Sequence, residues 1–192
     1  MILVLDNYDS FTYNLVQLIG CTTPAIRVVR NDVLAPSEID VMSLKGIVIS
    51  PGPGRPSDAG ICNMVVSELG SKIPILGICL GHQIIGEVYG AEVTYAPTLM
   101  HGKTSAVHHN GSDLFEGVPN SFEATRYHSL VLNPQSIPSC LNVTASTPDG
   151  VIMGVRHSSH PVEGVQFHPE SVMTRNGSVL INNWLNRIGV ES

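Results

Sequence analysis

Charge is scarce in this chain: only 14% of its 192 residues are charged, and the basic ones are the minority, 10 Lys and Arg against 16 Asp and Glu for a net charge of −6. With no Lys/Arg cluster, it lacks the basic patch by which nucleic acid is held. Cysteine is sparse too. Cys21, Cys62, Cys79 and Cys140 never stand in Cys-x-x-Cys spacing, which argues against a zinc knuckle or a disulfide framework and for a reducing compartment. Long apolar runs are missing. Met1 leads into Ile2 to Leu5, ended by Asp6 and without a basic flank, too short for a signal peptide or membrane span, so a cytoplasmic protein without membrane contact is expected. No repeat, linker or low-complexity stretch marks a domain boundary. A chain of this length suits one domain that buries about 70% of its unfolded surface without help from a metal.

What is present alternates between strand and helix signals. Met1 to Leu5 reads as a buried strand, and the polar run Asp6-Asn7-Tyr8-Asp9-Ser10 can cap a helix carrying Phe11, Leu15, Leu18 and Ile19. Ala25 to Val29 is a second strand, Ser37-Glu-Ile-Asp40 has capping-box spacing for a short helix, and Gly46 to Ile49 is a third strand. The turn Ser50-Pro-Gly-Pro-Gly54 follows, then a helix with Ile61, Val65 and Leu69 on one stripe, then a strand from Ile73 to Ile78. This order predicts an α/β fold with a mainly parallel central sheet and helices on both faces. Ligands of such sheets bind outside the carboxyl ends of the strands, so Asp6 to Ser10, Ser50 to Gly54 and Cys79 are expected to share a cleft. After Ala91 the chain becomes strand-rich, with Asn110-Gly111 and Asp149-Gly150 as hairpin-type turns, and a last helix runs from Ser178 to Ile188.

The densest chemistry lies between Lys72 and Gly90. A strand-like run ends at Ile78, and Leu80, Ile84, Ile85 and Val88 then recur at helical spacing, which puts Cys79 at a strand-to-helix turn. Gly77 and Gly81 flank it in the Gly-x-nucleophile-x-Gly spacing of a nucleophile elbow. A thiol at a helix N-terminus has its thiolate favoured by the helix dipole. A buried structural cysteine is the competing reading of a thiol in apolar surroundings, and the paired glycines favour the nucleophile.

A cysteine nucleophile needs a base. Of eight histidines, His108, His109, His157 and His160 stand beside turns where a solvated histidine is the ordinary case, and His157 with His160 lacks two further ligands for zinc. His168 ends the apolar run from Gly164 to Phe167, and Glu170 follows two residues later across Pro169. On the strand-end reading the two side chains face the same way, so the carboxylate can orient the imidazole. Acyl transfer also needs oxyanion donors, for which the N–H of Leu80 and that of Gly54 in the Pro-Gly-Pro-Gly loop are the candidates.

Taken together, Gly-Ile-Cys79-Leu-Gly-His-Gln83, Gln166-Phe-His168-Pro-Glu170-Ser and Ser50-Pro-Gly-Pro-Gly54 resemble the motifs of class I (triad) glutamine amidotransferases. Asp6-Asn-Tyr-Asp-Ser-Phe-Thr12, His101-Gly-Lys103 and Thr125-Arg-Tyr-His-Ser-Leu-Val131 narrow the resemblance to the free-standing glutaminase subunits of anthranilate synthase and aminodeoxychorismate synthase. The resemblance implies a single flavodoxin-like amidotransferase domain over residues 1–192. It also implies hydrolysis of L-glutamine through a thioester on Cys79, with His168 moving protons and Glu170 orienting it. Glutamine would be held by Gly52, Gly54, Gln83, Ser129 and Leu130. Ammonia would pass to a separate chorismate-binding synthase subunit, which would carry the Mg2+, with no cofactor or metal in this chain. By the same resemblance Asp6, Asn7, Tyr8, Asp9, Ser10, His101 and Lys103 lie nearest that partner. A DJ-1-like or peptidase-like cysteine hydrolase would share the elbow without needing Gln-Phe-His-Pro-Glu, and a catalytically silent binding subunit would not need an intact triad.

Overall fold

The computed structural model describes residues 1–98 and 102–190. Its strands are β1 (Ile2–Asp6), β2 (Ile26–Arg30), β3 (Gly46–Ile49), β4 (Ile75–Ile78), β5 (Val93–Tyr95), β6 (Lys103–His109), β7 (Phe122–Arg126), β8 (Leu130–Leu132), β9 (Leu141–Ser146), β10 (Ile152–His157) and β11 (Val162–Val165). The helices are α1 (Thr12–Gly20), α2 (Pro36–Asp40), α3 (Cys62–Leu69), α4 (Leu80–Val88) and α5 (Gly177–Arg187).

Nine strands make one sheet in the order β2-β1-β3-β4-β11-β10-β9-β6-β7. Pairings from β2 to β11 are parallel, and those from β11 outward are antiparallel, which accommodates the strand-rich second half. β5 and β8 pair separately as an antiparallel ribbon.

Because side chains alternate along a strand, both faces of the parallel strands need cover. Ile2, Val4, Val48, Leu76 and Ile78 face one side, where Leu15 and Ile19 of α1 and Leu180, Ile181 and Trp184 of α5 close over them. Leu3, Leu5, Ile47, Ile49 and Ile75 face the other, against Ile39 of α2, Val65 and Val66 of α3, and Ile84 and Ile85 of α4. Trp184 is the largest fully buried side chain, and truncating it to alanine would cost about 3–5 kcal/mol.

The topology decides where chemistry can occur. β1, β3, β4 and β11 are neighbours and all parallel, so their carboxyl ends line up and the loops after Asp6, Ile49, Ile78 and Val165 emerge side by side. The ribbon adds a wall: the link from β7 to β8 carries residues 127–129 across this edge, pinned by the Ala96 N–H on the Ser129 carbonyl at 2.8 Å.

Candidate active site

Cys79 is the residue between β4 and α4, and its backbone takes φ +51° and ψ −97°, a conformation that residues with side chains rarely adopt. Such a backbone costs of order 1–3 kcal/mol and persists only when its surroundings hold it. One hold is the Cys79 N–H on the Val165 carbonyl at 2.9 Å. Another is the packing of its glycines: a Cβ on Gly77 would lie 2.4 Å from the Gly81 carbonyl, and one on Gly81 would lie 2.5 Å from the Ile49 oxygen. Strand and helix therefore meet backbone to backbone, which only glycine permits. The turn leaves Sγ lining a pocket while the residue as a whole is 93% buried, being 7% exposed.

His168 lies three residues past the end of β11, so the strand-end reading needs correction. The chain changes partners there: the Gln166 N–H donates to Met153 of β10 at 3.0 Å and the His168 N–H to Thr125 of β7 at 3.1 Å. The geometry that reading sought is nevertheless present. His168 Nδ1 is 2.6 Å from Glu170 Oε1, with both side chains buried. A carboxylate accepts, so Nδ1 carries the hydrogen and Nε2 is the nitrogen left for chemistry. Phe11 and Tyr127 pack edge-on against the imidazole, with ring centroids 5.6 and 5.1 Å away.

Burial alone would push the imidazole toward neutrality, but the charge and proximity of Cys79, then Glu170, outweigh it and hold His168 up at about 10. Among the described residues Nε2 completes no hydrogen bond of ordinary geometry, so the sulfur acts on the ring mainly through its charge. The site therefore favours an imidazolium at neutral pH, next to the Cys79 sulfur.

Beside the sulfur is a pocket of about 150 Å³ that brings together Gly52, Gly54, Leu80, Gln83, Ser129 and Leu130, with Pro53, Tyr127 and His128 among its walls. A cavity of about 680 Å³ lies elsewhere, between Thr104, Phe122 and Val172, without any of these residues, so size does not locate the chemistry. Gly54 has φ +79°, and Asp58 braces its loop by accepting the Arg55 N–H at 2.8 Å. Arg55, which follows this loop, lays its guanidinium over the Tyr95 ring at 5.4 Å. Leu80 opens α4, where the first amide groups have no partner within the helix.

His128 is in the pocket wall but is unsuited to proton transfer. Its Nε2 accepts from Arg126 Nε at 3.1 Å, and its Nδ1–H donates to the Leu130 carbonyl at 3.1 Å. Burial, then the Arg126 charge, lower it to about 3 and keep it neutral.

The segment expected to face a partner divides. Asp6 is buried, paired with Arg30 at 2.8 Å and bonded by the Thr12 hydroxyl at 2.8 Å. Asn7 is buried as well; its N–H and Nδ2 donate to Ser50, and its Oδ1 accepts from Asn31. Both offer almost no surface, and a Cβ on Gly52 would lie 2.5 Å from Asn7 Cβ, so Asn7 underlies the Pro-Gly-Pro-Gly loop. Tyr8 and Ser10 are exposed, Asp9 is half-buried and Lys103 is exposed, whereas His101 lies outside the described residues. Among the described residues no group of three or more His, Cys, Asp or Glu is placed to hold a metal ion. No helix among them is long and apolar enough to cross a membrane.

Phe11, Tyr127 and Ser50 stand within motifs of the sequence but without a role there, since ring packing and loop bracing between distant segments leave no local pattern. Gln166 was visible as part of a motif, but without a role.

A family model described as glutamine amidotransferase class-I matches residues 3–188. A bifunctional protein TrpGD of Thermotoga maritima is 52% identical over 187 residues, covering 96% of this chain and 32% of that protein, so the chain spans about a third of that relative. The aminodeoxychorismate/anthranilate synthase component 2 of Bacillus subtilis is 51% identical over 185 residues, covering 96% of this chain and 95% of that protein. Among solved structures, one described as a GMP synthase subunit of Thermoplasma acidophilum superposes with a TM-score of 0.87 at 26% identity, covering 97% of this chain and 92% of that one.

Proposed function

The chain belongs to the class-I glutamine amidotransferases, and from that premise we propose that it is the glutaminase subunit of a chorismate-utilising synthase. One domain spanning the chain would hydrolyse L-glutamine and deliver ammonia to the partner, in the cytoplasm. The observation that carries this reading is the site itself: a thiol on a strained elbow, a buried His168–Glu170 pair held at 2.6 Å, and a small pocket opening at the sulfur.

In this reading the Cys79 thiolate attacks the carboxamide carbon of glutamine. The oxyanion that forms is met by the N–H groups of Leu80 and Gly54, and preorganised donors of this kind are usually the largest electrostatic contribution to acyl transfer. His168 gives its Nε2 proton to the departing nitrogen, and ammonia leaves as the γ-glutamyl thioester forms. The charge on sulfur is then gone, and with it a major influence raising His168, so the neutral imidazole can take a proton from water. Hydroxide adds to the thioester, the intermediate collapses to glutamate, and the thiolate beside an imidazolium is restored.

Glutamine itself would lie along Gly52, Gly54, Gln83, Ser129 and Leu130, the last two meeting its α-amino and α-carboxylate groups through their backbone. Ammonia protonates in water to a non-nucleophilic ion, which gives a reason for docking on a chorismate-binding partner, itself the holder of Mg2+. Tyr8, Ser10 and Lys103 are the exposed members of the surface offered to it. The reading covers both anthranilate and aminodeoxychorismate synthesis, since the chemistry at Cys79 is the same for either.

The test is glutamate release from glutamine by the chain alone and after addition of a chorismate-utilising synthase subunit. Release that rises on adding the subunit is expected. No release in either arm would overturn the proposal.

A further inference from the structure

Gln166 is fully buried at the cleft edge, and its side chain bridges the nucleophile and the pocket wall. One end of its amide lies 3.6 Å from Cys79 Sγ, long for oxygen but within reach of the larger sulfur atom, and the other lies 3.1 Å from Gln83 Nε2. Which end faces the sulfur follows from the neighbours. The Leu130 carbonyl can only accept, so the Gln83 atom 3.0 Å from it is the nitrogen. That same nitrogen, having two hydrogens, donates the second to Gln166, which must therefore present its oxygen to Gln83 and its NH2 to the sulfur. Leu130 is fixed in turn by His128 Nδ1–H, and His128 by Arg126, whose Nη1 donates to Ser105 at 3.1 Å. The amide cannot rotate by half a turn without breaking a buried hydrogen bond in this chain.

We propose that Gln166 is a catalytic residue whose Nε2–H donates to Cys79 Sγ and stabilises the thiolate. The inference rests on the reading of Cys79 as the nucleophile. Sulfur then has two stabilising neighbours of different kinds. The imidazolium supplies charge but gives up its proton during the reaction, whereas the Gln166 amide keeps its hydrogen throughout. It stabilises the thiolate before attack and again when the thioester collapses and sulfur must leave with a negative charge.

The experiment reads the thiolate directly, without glutamine. Alkylation of Cys79 by iodoacetamide is followed by mass spectrometry across pH in the wild-type chain, in Gln166→Met and in Gln166→Glu. Gln166→Met removes the donor without adding charge, and the acid limb of the rate profile should move up by about one pH unit, the scale of one charge-assisted hydrogen bond and a tenfold loss of thiolate. Gln166→Glu keeps an acceptor for Gln83 and places a carboxylate at the sulfur, so its shift should be larger still. If Gln166 only supports the fold, Gln166→Met loses thermal stability while its Cys79 profile stays in place, and that result would overturn the proposal. Labelling of buried Cys62 reports unfolding; should Gln166→Met unfold, Gln166→Leu, likewise neutral and without a donor, decides the matter. Glutamine turnover by the wild-type complex is measured in parallel. Its absence counts against the glutaminase reading, and an unmoved alkylation profile counts against Gln166.

Discussion

Replacing Glu170 by glutamine changes one charge in a setting that the structure defines closely. The carboxylate is buried, its Oε1 is 2.6 Å from His168 Nδ1, and among the described residues its Oε2 has no hydrogen-bond partner. A glutamine oxygen can still accept from Nδ1–H, so ring orientation and tautomer survive. What is lost is the charge assistance: a charged hydrogen bond contributes about 1.5–3 kcal/mol and a neutral one about 0.5–1.5. The difference of about 1–1.5 kcal/mol corresponds to a fall in glutamine kcat/KM of roughly 5- to 15-fold. His168→Ala instead removes the group that transfers protons, a contribution of roughly 10² to 10⁴. Glutaminase assays of both variants with the synthase partner present make the comparison. Equal losses would mean that the carboxylate does more than orient and stabilise the imidazolium, and an unimpaired Glu170→Gln would mean that the buried pair is not used.

Two further perturbations follow from local geometry. Gly54→Ala must hold a side chain at φ +79° with its Cβ 2.6 Å from Asp58 Oδ2, so the loop should shift and kcat should fall about 10²-fold as one oxyanion donor moves, with the melting temperature lowered by only a few degrees; an unchanged kcat would remove Gly54 from the oxyanion site. Acid should destabilise the fold between pH 6.5 and 5, because burial holds His82 at about 4 and burial with the Arg126 charge holds His128 at about 3, while the unfolded chain takes up both protons near 6.5. The lowered values put the full contribution above pH 6.5, lost as pH falls, at about 2 kcal/mol for each residue by pH 5. Urea unfolding at the two pH values measures it, and equal midpoints would contradict the buried neutral assignment.

The parallel half of the sheet was legible because each strand is a short apolar run between glycine, proline or acidic stops, and Gly46–Ile49 lies where the sequence put it. Local capping was read less well. Ser37 has the spacing of a cap, but Pro36 already occupies the first turn of α2, with Ala35 before it and the Glu38 carboxylate accepting the Ala35 N–H at 2.7 Å. Asn110-Gly111 reads as a tight hairpin, yet residues 110–121 form a longer link in which Phe115 folds back to stack on His109 at 4.8 Å. The parts of the site divide between local and distant contacts. Cys79, Gly77 and Gly81 announce themselves by spacing, since an elbow is local. Asn7 looked like a polar surface residue because nothing in its neighbourhood reveals that Ser50 and Asn31, 43 and 24 positions away, bury and bond it.

The central claim is that Cys79 supplies ammonia to a reaction completed elsewhere. Cys79→Ser, assembled with a chorismate-utilising synthase subunit, separates the two halves: formation of the aromatic product is measured with glutamine and, separately, with ammonium salt at a pH where free ammonia is present. The account expects synthesis from glutamine to disappear and synthesis from ammonia to continue at the wild-type rate. Persistence of glutamine-dependent synthesis in the variant would contradict it.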